Sequence, residues 1–138
     1  MSHSKEALDR LRREIERPPF HDVLRPEAIT ADADNGVVVI ALRYDPKLRR
    51  SPDDESYHGG VIATLIDLAG HAAIAIKIQK MAPTIDLRID YLSASDGSDL
   101  TATATLIKVG RSIARVDVDI VDAMGRKIAI GRGAYSIA

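Results

Sequence analysis

The chain has 138 residues, 46% of them hydrophobic, with 19 Lys and Arg against 20 Asp and Glu for a formal net charge of -1, the size of one domain with its own core, read here as a single unit over residues 1–138. That balance, and an aromatic content of 4% with no Trp and Phe20 as the single Phe, argue against nucleic acid and an anionic membrane as partners. The absence of cysteine excludes disulfides, thiolate zinc sites and a Cys nucleophile.

In chain order, Ser4 to about Glu16 carries Leu8, Leu11 and Ile15 at helical spacing, which predicts an amphipathic helix. This charged start has no apolar secretion core, and a cytoplasmic location is expected. The phrase "RPPF" ends the helix, so residues 1–20 form a helix and lead-in. "EAITADADNGVVVIALRYD" predicts a hairpin: Asp34, Asn35 and Gly36 tolerate positive φ, and Val37–Leu42 is rich in β-branched residues. "PKLRRSPDDESY" reads as a polar loop.

Tyr57–Ile76, "YHGGVIATLIDLAGHAAIAI", is a helix almost apolar enough to span a membrane. A spanning helix needs ~20 apolar residues, and a central charge costs at least ~2.5 kcal/mol. Asp67, His71 and Lys77 all fall inside Val61–Ile78, which favours a helix enclosed by protein on most sides. Past Pro83 come four strand-like runs, Thr84–Leu92, Leu100–Val109, Ser112–Val121 and Lys127–Tyr135. In the first, Ile85, Leu87, Ile89 and Tyr91 share one face and Asp86, Arg88 and Asp90 the other; Val116, Val118 and Ile120 alternate likewise. "SDGSD", "VGRS" and "DAMGR" are turns, each with Gly where a special φ is expected. Hairpin-connected strands are antiparallel and bury one face. The predicted architecture is α+β, with a sheet curling around the apolar helix.

Thr64, Asp67 and His71, at i, i+3 and i+7, form a polar stripe on that helix, which calls for a cavity, a ligand or another subunit opposite. Upstream, Gly59 and Gly60 fall at the first helical turn. Unpaired N–H groups there, bare of any Cβ, can approach a ligand oxygen closely and stabilise an oxyanion. Asp67 can activate water or act as nucleophile. His71 is a lining or core histidine, or pairs with Asp67 at i, i+4. "DDE" over Asp53–Glu55 is a solvated acidic run, and no His spacing supports a metal. There is neither a G-x-S-x-G elbow nor a Gly-rich nucleotide loop.

"HGGVIATLID" resembles the HGG-x6-D pattern of hotdog-fold thioesterases of the phenylacetate-degradation (PaaI-like) group. The phrases "TIDLRIDYL", "VGRS" and "IAIGRGAYSI" are similar to that family too, over roughly Ala28 to Ile137. The resemblance implies a hotdog fold, subunits joined edge to edge as a dimer or a dimer of dimers, and hydrolysis of acyl-CoA thioesters at the subunit interface without a cofactor. Asp67 matches the catalytic carboxylate, Gly59 the backbone donor to the thioester carbonyl, and His58 the histidine bordering that hole. Thr84 matches a hydroxyl that holds the attacking water, though Thr at a strand start is commonplace. Gly110, Arg111 and Ser112 match the turn that contacts CoA; Arg111 is equally consistent with an ordinary solvated residue. Many relatives carry Asn a few residues before HGG, where this chain has Pro52, with Ser56 as one substitute. Two other classes remain: an enoyl-thioester hydratase on the same fold, and a non-catalytic acyl-CoA-binding protein.

Overall fold

The computed structural model describes residues 2–138; Met1, the first residue of the expected 1–138 unit, lies outside the described residues. Helix α1 (Ser2–Glu16) turns Ala7, Leu11 and Ile15 into the core, while Leu8 packs at its rim. A 3-10 turn at Pro19–Asp22 follows the two prolines. Strands β1 (Glu27–Asp32) and β2 (Val37–Leu42) form the expected hairpin. The Asp32 carboxylate accepts from the Asn35 backbone N–H at 3.1 Å and its side-chain amide at 2.7 Å. Of the three expected turn residues, Gly36 alone takes positive φ (66°), and a Cβ there would sit 2.5 Å from Leu106 Cβ.

The expected polar loop is instead structured. β3 (Arg49–Ser51) and β4 (Asp54–Tyr57) pair as a small separate hairpin. Its turn is organised by Asp54, which accepts from the Ser56 N–H and from Arg50, contacts that hold its carboxyl down to about 2. Buried Leu48 and Tyr57 anchor the hairpin. Local side-chain acceptors thus made a strand pair where composition alone indicates coil.

Helix α2 (Gly59–Ile78) is the core of the molecule. It is long and apolar enough to cross a membrane, yet 61% of its most apolar window is buried inside the fold. His58 caps its start, and Gln79, at φ 59°, closes its end by donating to the Ala75 carbonyl. From α1, Arg10 donates to the Ile76 carbonyl at 2.7 Å, placing a cation at the negative end of the helix.

Strands β5 (Thr84–Tyr91), β6 (Leu100–Val109), β7 (Ile113–Val121) and β8 (Lys127–Ser136) complete a six-stranded antiparallel sheet in the order β1-β2-β6-β7-β8-β5. Its inner face presents Val38, Ile40, Ala102, Ala104, Val116, Val118 and Ile120 to α2. The alternation of Val116, Val118 and Ile120 is as expected. Strand β5 departs from its pattern: Leu87 and Ile89 pack on the core, but Ile85 and Tyr91 are 57% and 54% exposed. It lies at the sheet edge and is bulged between Thr84 and Asp86, so half of its apolar face has nothing among the described residues to cover it.

Of the later turn glycines, Gly97 and Gly125 take positive φ, as expected, while Gly110 does not. Gly110 is needed for room: a Cβ there would lie 2.9 Å from the Ile113 carbonyl oxygen. Glycine inside β8 serves a similar end. A Cβ on Gly131 would meet Ile66 Cγ2 at 2.7 Å, so Gly131→Ala should cost about 1–3 kcal/mol by overpacking helix against sheet. Denaturant unfolding reads this directly, and a stability equal to the parent would show that helix and strand can separate freely there.

Candidate active site

Two turns of α2 carry the polar stripe, and β5 and β8 supply what Asp67 faces. The Asp67 carboxylate is partly buried at the floor of a mainly apolar groove of about 450 Å³, whose walls include Phe20, Leu68, Met81 and Leu87. Its Oδ1 accepts from the Thr84 hydroxyl at 2.7 Å and from the Tyr135 hydroxyl at 3.2 Å. Oδ2 accepts from no group among the described residues and is left for water or a ligand. Burial first, and then the Asp67 charge, push the Tyr135 phenol well above its ordinary pKa, so it stays protonated and donates.

His71, the third stripe residue, is committed elsewhere. Its Nε2 accepts from the Ala82 N–H at 3.1 Å, which puts the ring proton on Nδ1, and the ring lies tilted against Tyr135. No hydrogen bond joins it to Asp67, so the lining role holds and the Asp–His pair does not form. Burial lowers its pKa, the opposing charges of Glu14 and Asp67 counting for less. With the folded value below the unfolded one near 6.5, protonation favours the unfolded chain. The penalty is absent above that value and grows as pH falls through it. Melting from about pH 7.5 to about pH 5 should show Tm falling on the acid side, and His71→Gln, which keeps an acceptor, should flatten that fall. An equal acid slope in the variant would assign the loss to another group. Thr64 turns its hydroxyl back onto the Gly60 carbonyl at 2.8 Å and satisfies itself within the helix.

Of the other predicted residues, His58 and Gly59 lie at the N-terminus of α2. His58 Nδ1 accepts from the Gly60 N–H at 2.8 Å, an N-cap that leaves Nε2 to carry the proton of the neutral ring. The Gly59 N–H meets no acceptor among the described residues. Its carbonyl accepts from the Tyr91 hydroxyl at 2.8 Å, and the two residues line a second groove of about 320 Å³ with Arg50, Ser56 and Ile62. Pro52 sits in the β3–β4 turn, and the Ser56 hydroxyl donates to the Ser95 carbonyl at 2.9 Å, so it does not present a free donor in place of the Asn. Gly110, Arg111 and Ser112 form the turn between β6 and β7. Arg111 and Ser112 are exposed there, and the turn is tied to the chain end by the Ile137 N–H donating to the Ser112 carbonyl.

The structure therefore joins Asp67 to Thr84 and separates both from Gly59 and His58. Among the described residues no group of three acids or histidines is gathered that would hold a metal ion. A model of the thioesterase superfamily matches residues 56–129, which span the end of β4, all of α2 and the sheet as far as β8.

The chain belongs to the thioesterase superfamily. By that membership it is a thioester hydrolase of the hotdog fold, as the HGG-x6-D pattern implied. It is 33% identical to a Halobacterium salinarum protein bearing an esterase name, over 77% of each chain. It is 38% identical to human acyl-coenzyme A thioesterase 13, over 54% of this chain and 56% of that one. The solved Escherichia coli PaaI protein of the phenylacetic acid degradation operon superposes with a TM-score of 0.85 at 25% identity, over 99% of this thioesterase and 96% of PaaI.

Sequence reasoning missed Tyr135 in this thioesterase, although a signal was present. Gly131 and Gly133 lie inside a strand and Gly70 inside a helix, away from any turn, and such glycines mark a close approach. A Cβ on Gly70 would lie 2.5 Å from the Tyr135 hydroxyl, and one on Gly133 2.5 Å from its ring.

Proposed function

We propose that this thioesterase hydrolyses acyl-CoA at a site shared between two copies of the chain. The observation that carries the reading is the Asp67 carboxylate, with one oxygen tied by two hydroxyls and the other free in an apolar groove. A thioester is already activated, so hydrolysis needs only a dry acyl slot, an oxyanion donor and a carboxylate that deprotonates water or attacks directly. The Gly59 N–H, first in α2 and unpartnered, is the oxyanion donor, with His58 beside it, and Thr84 helps to hold the water.

Geometry supports the second copy. Asp67 lies eight positions beyond Gly59 on the helix, about 12 Å along the axis, whereas reacting groups must meet within about 3–3.5 Å. One thioester carbonyl cannot reach both in one chain. The exposed apolar residues of the β5 edge, Ile85 and Tyr91, favour pairing of that edge with its symmetry mate in a dimer, or a dimer of dimers. Gly110, Arg111 and Ser112 are assigned to the nucleotide end of CoA, where a permanently charged guanidinium suits phosphate.

A panel of aromatic and aliphatic acyl-CoAs, followed by release of free thiol, tests the reading. Turnover of at least one thioester class is expected. Hydration of crotonyl-CoA without thiol release would make the protein a hydratase, and tight acyl-CoA binding without turnover would make it a carrier or regulator; either result overturns the proposal.

A further inference from the structure

We propose that Tyr135 is a positioning residue for the reaction: with Thr84 it clamps one carboxylate oxygen of Asp67 so that the other is presented to the substrate groove. The inference rests on the assignment of Asp67 as base or nucleophile and adds the group that sets the geometry of that carboxylate.

The phenol sits in a built slot. Tyr135 is fully buried, and among the described residues its hydroxyl reaches only the Asp67 carbonyl at 3.1 Å and Asp67 Oδ1 at 3.2 Å. The slot exists because two positions from distant parts of the chain carry no side chain. Gly70, one turn beyond Asp67 on α2, and Gly133, two residues before Tyr135 on β8, would each drive a Cβ to 2.5 Å from the phenol. Phe would fill such a slot for packing alone. A buried hydroxyl requires a polar partner, and here the single phenol proton is shared between the Asp67 carbonyl and its carboxylate.

Register makes the clamp two-sided. Thr84 and Tyr135 are direct cross-strand partners between β5 and β8, and both hydroxyls donate to the same oxygen, Oδ1. Two donors converging from a pair of strands hold the side chain against rotation, and Oδ2 is left facing the groove. Precise placement of this kind separates a productive carboxylate from a merely adjacent one. The titratable neighbours of the groove are His71, which is committed to the Ala82 N–H and faces Glu14, Arg17 and His21, and His21, whose ring meets the Ile15 carbonyl. Tyr135 is the titratable group that hydrogen-bonds the carboxylate.

The test is Tyr135→Phe, assayed beside Asp67→Asn on the best acyl-CoA of the panel, with Tm confirming the fold. Removing one donor to a charged carboxylate should lower kcat about tenfold while KM stays within about twofold. It should also move the acid limb of the kcat profile to higher pH, because a carboxylate that loses a donor is protonated more easily. Thr84→Val should move the limb in the same direction. A purely structural role for Tyr135 would lower Tm and leave the limb where it was. An inactive Asp67→Asn beside a Tyr135→Phe with parental kcat and acid limb overturns the clamp and spares the base assignment; an active Asp67→Asn overturns both. If Tyr135→Phe does not fold, 3-fluorotyrosine placed at position 135 answers the question. Its stronger donor should move the limb to lower pH, and an unmoved limb overturns the clamp.

Discussion

Asp67→Asn is expected to lose at least ~100-fold in acyl-CoA turnover while melting close to the parent temperature. The substitution is nearly isosteric, and the amide oxygen can still accept from Thr84 and Tyr135, so both hydroxyls keep a partner and the groove keeps its shape. What disappears is the free oxygen: an NH2 group that cannot take a proton or attack replaces Oδ2. Release of thiol from the preferred substrate measures the loss. A change of only twofold would end the catalytic role of Asp67. The parent protein separates the two chemistries open to the carboxylate. In a single turnover in isotopically labelled water, direct attack leaves label in the Asp67 carboxylate, and general-base catalysis leaves it only in the released acid.

Gly59→Pro should fold normally and lose on the order of 10²–10³-fold in kcat, the range seen when one oxyanion donor is removed. Proline suits the first position of a helix, where its missing N–H would in any case be unpaired. The residue before it must be extended, as His58 already is at φ -60° and ψ 135°. A Cβ at position 59 would meet Tyr91 at 3.6 Å, an ordinary contact. The variant therefore deletes a hydrogen-bond donor and little else. It also tests the shared site. When Gly59→Pro and Asp67→Asn chains are co-expressed, each mixed dimer holds one site with an intact Asp67 from one copy and an intact Gly59 amide from the other. Activity should then rise well above that of either variant alone. A mixture as inactive as its parts would mean that both groups are needed from the same copy and would remove the interface from the mechanism.

The elements that sequence made legible share a cause: their signals are local. Val116, Val118 and Ile120 alternate because a strand has period two, and a helix apolar nearly all round has to be enclosed. Asp67 stood out because a charge on such a helix needs a reason. The misread elements depend on what lies opposite. Ile85 and Tyr91 carry the right alternation, but the neighbour that would cover them is missing at the edge of the sheet. The hairpin of β3 and β4 depends on Asp54 reaching the Ser56 N–H and Arg50, which polar composition hides. Gly110 looked like a positive-φ turn and is instead a gap left for the Ile113 carbonyl.

From residue order alone follow the α+β class, the wrapped central helix, its glycine start, and one acid placed two turns farther on; all are consequences of periodicity and backbone chemistry within about twenty residues. Folding in three dimensions chose the partners of that acid. Thr84 lies 17 positions away and Tyr135 68, and they meet on one oxygen because β5 pairs with β8 in a single register while two glycines let the helix approach the sheet. No spacing rule along the chain encodes that meeting, since a slip of one residue would turn either hydroxyl to the other face.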